Sequence, residues 1–198
     1  MSDSLPIPRS SSRFLVAILL LFIGSAPFIP ANSQNLASDL EGKALDPFRA
    51  AQGKVVVLIF VRTDCPISNR YAPTIQKLRG QHGTKAAFFL VYPDKKETVD
   101  SIRKHDREFK YTFAALRDPQ HILVKQSQAR ITPEAAVFDA DRRLVYHGRI
   151  DNLYEDFGHA RKTATTHELD DAIQAAINGK SMNAQATPAV GCYISDLE

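Results

Sequence analysis

With 198 residues, the chain is long enough for one domain with a substantial core, and it contains no evident internal repeat or low-complexity tract. Its formal net charge of +3 is small, and its lysines and arginines are dispersed rather than clustered, which excludes nucleic acid as an expected partner. Its two cysteines allow either a disulfide bond or separate chemistry at each thiol.

The first 33 residues have the pattern of a secretory signal. Arg9 and Arg13 precede an apolar stretch over 14–24, which is too short to span a membrane comfortably. Ala31-Asn32-Ser33 then offers small residues for cleavage before Gln34. We therefore predict that residues 1–33 are a signal peptide and that the protein is exported to the periplasm or cell envelope. An uncleaved membrane anchor is the alternative.

Cys65 is the first candidate for chemistry because of its position. An apolar, β-branched run over 55–61 predicts a buried central strand, and Cys65 follows this strand. A helix is predicted next, over 68–80, with a kink at Pro73. Free N–H groups and the helix dipole near a helix start favour thiolate over thiol. Cys65 is therefore a candidate nucleophile, and a buried structural cysteine is the alternative.

The rest of the chain alternates strand and helix patterns. These patterns predict a strand over 86–92, a helix over 96–110, a short apolar piece at 113–116, a short helix over 121–128, a hairpin of 135–139 with 143–148, and a last helix with a capping box of Thr165 and Glu168. A parallel start followed by an antiparallel end predicts an α/β fold with a mixed central sheet and helices on both faces.

Four features in order resemble the thioredoxin-like superfamily. Cys65 follows the first central strand, Pro73 comes eight residues later, Thr132-Pro133 stands just before the hairpin, and the hairpin itself over 137–148 is similar to that of exported redoxins. The chain thus resembles a peroxiredoxin-like, AhpC/TSA-type redoxin. The resemblance implies a thioredoxin-like fold, thiol chemistry at Cys65, and a cis-proline loop in which Thr132 and Pro133 flank the sulfur and present backbone to a substrate.

The resemblance covers about residues 40–180. We predict a redoxin domain over 34–180 and a C-terminal tail over 181–198 that carries Cys192. This second cysteine could be a resolving cysteine that attacks an oxidised Cys65, half of a permanent disulfide with Cys65, or a free thiol in the tail. The sequence does not set the distance between the two cysteines, so the three interpretations stay open.

The chain also departs from the thioredoxin pattern. Ser68 replaces the second cysteine of the usual Cys-x-x-Cys pair, so Cys65 has no local partner. Asp64 replaces the tryptophan that commonly precedes the first cysteine, and an acidic neighbour should raise the pKa of a thiol. Ile59 stands where thioredoxins keep a buried acid. Glu134 is a speculative substitute for that acid, although a solvated surface carboxylate is the more expected role.

These features predict an exported thiol–disulfide oxidoreductase with Cys65, Cys192, Thr132 and Pro133 as its site residues. We expect a protein or small-molecule thiol or disulfide as substrate, a partner reductant, and neither a cofactor nor a resident metal. Peroxide reduction is an alternative, although Arg62 stands where peroxiredoxins have a threonine. A further alternative is a non-catalytic binding module or a copper carrier. Cys65 together with His159 or His167 could bind copper, but solvated histidines are the expectation.

Overall fold

The computed structural model describes residues 36–180, 185–195 and 197, so the predicted signal segment lies outside the described residues. The strands are β1 Val55–Phe60, β2 Ala86–Tyr92, β3 Ala115–Arg117, β4 Ile131–Thr132, β5 Glu134–Phe138, β6 Leu144–Gly148, β7 Tyr154–Asp156, β8 His159–Ala160, β9 Gln185–Thr187 and β10 Cys192–Tyr193. The helices are α1 Pro47–Ala50, α2 Pro66–Arg70, α3 Ala72–His82, α4 Val99–Glu108, α5 Ile122–Ser127 and α6 Glu168–Ile177. In this part of the chain, no helix has the length and apolar character that crossing a membrane requires.

Six strands form one sheet in the order β3-β2-β1-β5-β6-β9. The first three are parallel to one another, whereas β5 is antiparallel to β1 and β6 is antiparallel to β5. The predicted mixed sheet is therefore confirmed. β9, which comes from the predicted tail, adds to the sheet edge by running parallel to β6.

All six residues of β1 are buried because helices cover both faces of the sheet. One core contains Ile75 of α3, Ile102 of α4 and Ile173 of α6, and the other contains Phe48 of α1 and Leu123 of α5. Successive side chains of a strand point to opposite faces, so alternate residues of β1 enter the two cores. A continuous apolar run is the pattern expected for such a strand.

The helix predicted after Cys65 is divided into two. α2 ends at Arg70, Tyr71 lies between the helices, and α3 begins at Ala72. Pro73 lies in the first turn of α3, where its missing N–H removes no helical hydrogen bond. The expected kink is thus a one-residue interruption at Tyr71, whose backbone stays in the right-handed helical region. It leaves Cys65 as the N-cap of a helix of only five residues, so the helix dipole contributes less at the sulfur than a long helix would.

The predicted capping box of the last helix is wrong. α6 begins at Glu168 with His167 as its N-cap, so Thr165 lies outside the helix. The backbone N–H and the hydroxyl of Thr165 bond to Asn152 at 2.7 and 2.8 Å, and Glu168 pairs with Arg149. Partners distant in sequence have replaced the local cap.

Three loops meet at the carboxyl ends of β1 and β2. Since these two strands are parallel, the loops that follow them leave the sheet at the same end. β5 runs in the opposite direction, with Glu134 opposite Phe60, so the loop before β5 enters the sheet at this end as well. The topology therefore brings Cys65 next to Thr132-Pro133.

Candidate functional site

Cys65 and the loop before β5 are in direct contact. The Cys65 side chain is fully buried, and its Sγ donates a hydrogen bond to the Thr132 carbonyl oxygen at 3.2 Å. The Thr132–Pro133 peptide bond is cis, as the resemblance implied. Three of the four predicted site residues therefore lie together, although their catalytic roles stay predictions.

The tail brings the fourth residue to the same place. β10 pairs antiparallel with β4, and Cys192 is the residue opposite Thr132. The Thr132 hydroxyl donates to the Cys192 carbonyl at 3.3 Å, and the Ile194 N–H donates to the Arg130 carbonyl at 2.9 Å. Both cysteines are free thiols in this structure. The tail thus covers Cys65 with a second thiol.

Glycine precedes Cys192 for a steric reason. A Cβ added at Gly191 would lie 2.1 Å from the Thr132 carbonyl oxygen and 2.8 Å from its carbonyl carbon, whereas ordinary van der Waals contacts begin near 3.4 Å. The tail backbone therefore approaches the cis-proline loop more closely than any larger residue at position 191 allows.

The two thiols have opposite pKa shifts. Burial raises the pKa of Cys65, but Cys192 and Ser68 can donate to a thiolate at this position and lower the pKa by more, so the net shift is downward. The Thr132 carbonyl acts against these donors, because it can accept only from the protonated thiol. Burial and the hydrogen bond to Cys65 raise the pKa of Cys192. Cys65 is therefore the sulfur that ionises first, and Cys192 keeps its proton.

Ser68 has a role that the sequence analysis missed. Its side chain is fully buried, and its hydroxyl has no hydrogen-bond partner among the described residues. A buried hydroxyl without a partner is unfavourable, and a thiolate at Cys65 would give it an acceptor. The residue that replaces the second cysteine thus helps to lower the pKa of the first.

The positive charge beside the site, on Arg62, is paired with two aspartates. Arg62 forms ion pairs with Asp64 at 2.9 Å and with Asp94 at 3.5 Å. Asp64 is thus directed at Arg62, where it is mostly exposed, rather than being the neighbour that governs the Cys65 sulfur. Arg62 lowers the pKa of Cys192, but burial and the hydrogen bond to Cys65 raise it more.

The expectation that Glu134 is a solvated surface acid is wrong. Its side chain is only 8% exposed, and Oε2 accepts the backbone N–H groups of Arg130 and Ile131 at 2.8 and 3.1 Å. Glu134 therefore holds the loop that carries the cis-proline. The sequence gives no local signal for this role, because the two N–H groups become available only when the loop folds back.

Another buried acid was missed by the sequence analysis. Glu97, in the loop after β2, is 8% exposed, and its Oε1 accepts the Thr63 N–H at 2.6 Å. Burial raises the pKa of Glu97, although the bond from Thr63 lowers it in part. Position 59 carries no acid, and Glu97 brings a carboxyl group to the active-site loop from the loop that follows β2, the strand next to β1.

His159 and His167, the two candidate copper ligands, are both exposed. Over residues 36–180, 185–195 and 197, no group of three or more histidine, cysteine or carboxylate side chains is arranged to hold a metal ion. The geometry of the described residues therefore gives the copper-carrier interpretation no support.

Comparison with known proteins agrees with this architecture. The profile of the AhpC/TSA family matches residues 30–147. No curated protein sequence matches the chain. Among solved structures, a hypothetical protein from Sinorhizobium meliloti 1021 is 24% identical with a TM-score of 0.67, covering 80% of this chain and 88% of that one.

Two further solved structures carry descriptive names. A secreted disulfide oxidoreductase from Mycobacterium tuberculosis is 18% identical with a TM-score of 0.51, covering 73% of this chain and 99% of that one. An exposed lipoprotein thioredoxin from Streptococcus pneumoniae is also 18% identical with a TM-score of 0.51, covering 72% and 96%. At these identities the likeness concerns the fold, and it confirms the predicted thioredoxin-like class.

Proposed function

The chain belongs to the AhpC/TSA family, and on that premise we propose that it is an exported thiol–disulfide oxidoreductase in which Cys65 attacks and Cys192 resolves. One observation carries the proposal. The β10–β4 ladder sets Cys192 opposite Thr132, whose carbonyl oxygen accepts the Cys65 thiol. The opposite pKa shifts of the two thiols support the division of roles.

The cycle starts with the thiol of lower pKa. The Cys65 thiolate attacks one sulfur of a substrate disulfide, the substrate S–S bond breaks, and the other substrate sulfur leaves as a thiolate. Cys192 passes its proton to a leaving thiolate and attacks Cys65 Sγ, which releases the first substrate sulfur. The substrate has gained two electrons, and the protein holds a Cys65–Cys192 disulfide. A partner dithiol reductant then restores both thiols.

Access to Cys65 requires the tail to move. The Cys65 side chain is fully buried while β10 is paired with β4, so a substrate disulfide cannot reach the sulfur in that state. The tail must leave for the first attack and return for the second. While it is docked, the tail protects the Cys65 thiolate. When it returns, its Cys192 resolves the mixed disulfide. Both protein and small-molecule disulfides are compatible with this cycle.

The test uses oxidised glutathione as the probe and peptide mapping by mass spectrometry as the readout. Reduced wild-type protein should form a Cys65–Cys192 disulfide, and Cys192→Ser should stop at a glutathione mixed disulfide on Cys65. In Cys65→Ser, the remaining thiol of Cys192 should stay unmodified. The proposal is wrong if Cys192 of Cys65→Ser forms a glutathione mixed disulfide as fast as Cys65 of Cys192→Ser does, or if neither the wild type nor Cys192→Ser reacts. The second result would instead support a non-catalytic binding module.

Peroxide reduction is a second candidate, favoured by the family match. The Cys65 thiolate would attack a peroxide oxygen and break the O–O bond, giving a sulfenic acid and, after protonation of the leaving oxygen, water from hydrogen peroxide or an alcohol from an organic hydroperoxide. The Cys192 thiol would then attack the sulfenic acid and release water, which forms the same disulfide. The pairing of Arg62 with Asp64 and Asp94 leaves less positive charge for a peroxide than a free guanidinium would. The rates at which Cys65 reacts with hydrogen peroxide and with oxidised glutathione, measured under the same conditions, decide between the two substrates: a faster reaction with hydrogen peroxide favours the peroxidase.

Export and domain boundaries belong to the proposal as well. We propose residues 1–33 as the signal, 34–180 as the redoxin domain and 181–198 as the tail. The similar structure from Mycobacterium tuberculosis is that of a secreted protein, which supports this assignment. N-terminal sequencing of the protein from an envelope fraction should begin at Gln34, and an intact Met1 in the cytoplasmic fraction would contradict export.

A further inference from the structure

A line of hydrogen bonds runs from α4 to the loop that carries Cys65. The Tyr92 hydroxyl lies 2.9 Å from His105 Nδ1, and His105 Nε2 lies 2.8 Å from Asn69 Oδ1. Asn69 Nδ2 donates to the Thr63 carbonyl at 3.2 Å. Tyr92 and His105 are 1% and 3% exposed, so water does not compete at that end. The line ends two residues before the nucleophile.

The Thr63 carbonyl, at one end of this line, determines which group donates in each hydrogen bond. The Thr63 carbonyl can only accept, so the Asn69 amide nitrogen must face it and the amide oxygen must face His105. An amide oxygen accepts only, so His105 Nε2 carries a hydrogen. Burial lowers the pKa of His105 to about 4, so the ring is neutral near pH 7. Its Nδ1 is therefore the ring nitrogen without a hydrogen, and it lies beside the Tyr92 hydroxyl, which donates to Asp106 Oδ1 at 3.0 Å.

The opposite side of the same peptide segment is also held. The Thr63 N–H donates to Glu97 Oε1 at 2.6 Å, so both backbone groups of Thr63 bond to side chains from other loops and helices. Asn69 also donates its backbone N–H to the Cys65 carbonyl at 3.0 Å. None of these contacts involves the tail. They therefore persist when β10 leaves, which is when Cys65 must meet a substrate.

We propose that His105 is a positioning residue for Cys65, acting through Asn69 and Thr63 to fix the active-site loop after the tail has left. This inference deepens the proposed function and rests on it. A nucleophile held in place reacts faster than one on a loose loop, because orientation is settled before the encounter. His105 touches neither the sulfur nor a substrate, and its effect is on the placement of the sulfur alone.

The matched variants are His105→Phe and His105→Gln in a Cys192→Ser background. Phenylalanine keeps the ring contacts with Phe109 and Tyr111, whose centroids lie 4.7 and 5.7 Å away, but cannot donate to Asn69. Glutamine keeps an N–H donor. The control is His82→Phe, which removes a 2.6 Å bond to Asp170 at the far end of α3.

The rate of Cys65 with 2,2′-dithiodipyridine is measured from pH 5 to 9. We expect His105→Phe to slow the pH-independent rate of the thiolate roughly tenfold, and His105→Gln and His82→Phe to stay within about threefold of the background. Equal rates for His105→Phe and the background overturn the inference. If the background protein itself does not react, the proposed function fails instead.

A spectroscopic test needs no variant and no activity. Long-range ¹H–¹⁵N correlation spectra of the wild-type protein report which ring nitrogen carries the hydrogen. We expect His105 as the neutral Nε2–H form at pH 7, with the Nε2 proton protected from exchange. An Nδ1–H form would break the bond to Asn69 Oδ1 and overturn the inference even if Cys65 is fully reactive.

Discussion

Gly191→Ala should release the tail while leaving both thiols in the chain. The added Cβ would lie 2.1 Å from the Thr132 carbonyl oxygen and 3.0 Å from Ile131 Cγ2, so the β10 backbone must move by more than 1 Å to restore the contact distance of about 3.4 Å. Backbone hydrogen bonds do not survive a shift of that size at good geometry. The variant therefore tests what holds β10 against β4.

The size of the effect follows from the bonds that would be lost. The bond from Ile194 N–H to the Arg130 carbonyl and the bond from the Thr132 hydroxyl to the Cys192 carbonyl both depend on the docked register. At about 0.5–1.5 kcal/mol each, their loss weakens docking by about 1–3 kcal/mol. Since 1.4 kcal/mol is about a factor of ten, the open fraction should rise by about 5- to 150-fold.

Alkylation of Cys65 measures this open fraction. Reduced protein is treated with iodoacetamide at pH 7, and modification of Cys65 is followed by peptide mapping. Gly191→Ala should react faster than the wild type by the factor above. Gly80→Ala is the matched control, because a Cβ there meets no atom within 4 Å. Equal protection of Cys65 in Gly191→Ala and wild type would refute the tail as the cover of the thiol.

Three other perturbations have definite expected results. Ser68→Ala removes a donor to the thiolate, so the pKa of Cys65 should rise and the alkylation rate of the Cys192→Ser protein should shift to higher pH; an unmoved profile would contradict the role of Ser68. The unfolded chain protonates His105 near pH 6.5, whereas burial delays this in the folded state to about pH 4, so the free energy of unfolding should fall as pH is lowered through that window. Between pH 7 and 5, His105 should account for a fall of up to about 2 kcal/mol in the free energy of unfolding measured with urea, and His105→Phe should not show this fall. If the free energies of unfolding of His105→Phe and the wild type fall equally with pH, the ring is not a buried neutral one. Glu134→Ala leaves the N–H groups of Arg130 and Ile131 without their acceptor and should lower the unfolding free energy by about 2–4 kcal/mol, whereas Glu134→Gln, which keeps one oxygen, should lose less than half of that.

The sequence predicts those parts of the fold that depend on local patterns. The apolar run of β1, the strand Ala86–Tyr92 and the β5–β6 hairpin are all present, because alternation and turn residues are local properties. Cys65 and Thr132-Pro133 were identified in the same way, through positions next to strands. The mixed sheet then brings them together without further information.

The sequence did not predict the parts that depend on contacts between distant segments. Thr165 suits a helix cap in isolation, yet Asn152 binds it outside the helix. Glu134 is followed by apolar residues in the chain like many strand-start acids, and only the folded loop gives it two N–H groups. The sequence leaves three roles open for Cys192 for the same reason, because the register of β10 against β4 depends on tertiary contacts.

The redox potential of the Cys65–Cys192 pair tests the central claim most directly. Protein equilibrated in dithiol–disulfide buffers of graded potential is quenched with acid and alkylated, and the fraction of each cysteine in the disulfide is measured. A working pair should change between oxidised and reduced forms reversibly at a potential above about −300 mV, with both cysteines titrating together. A bond that stays oxidised below about −300 mV, or a Cys65 that never pairs with Cys192, would contradict a resolving role for the tail.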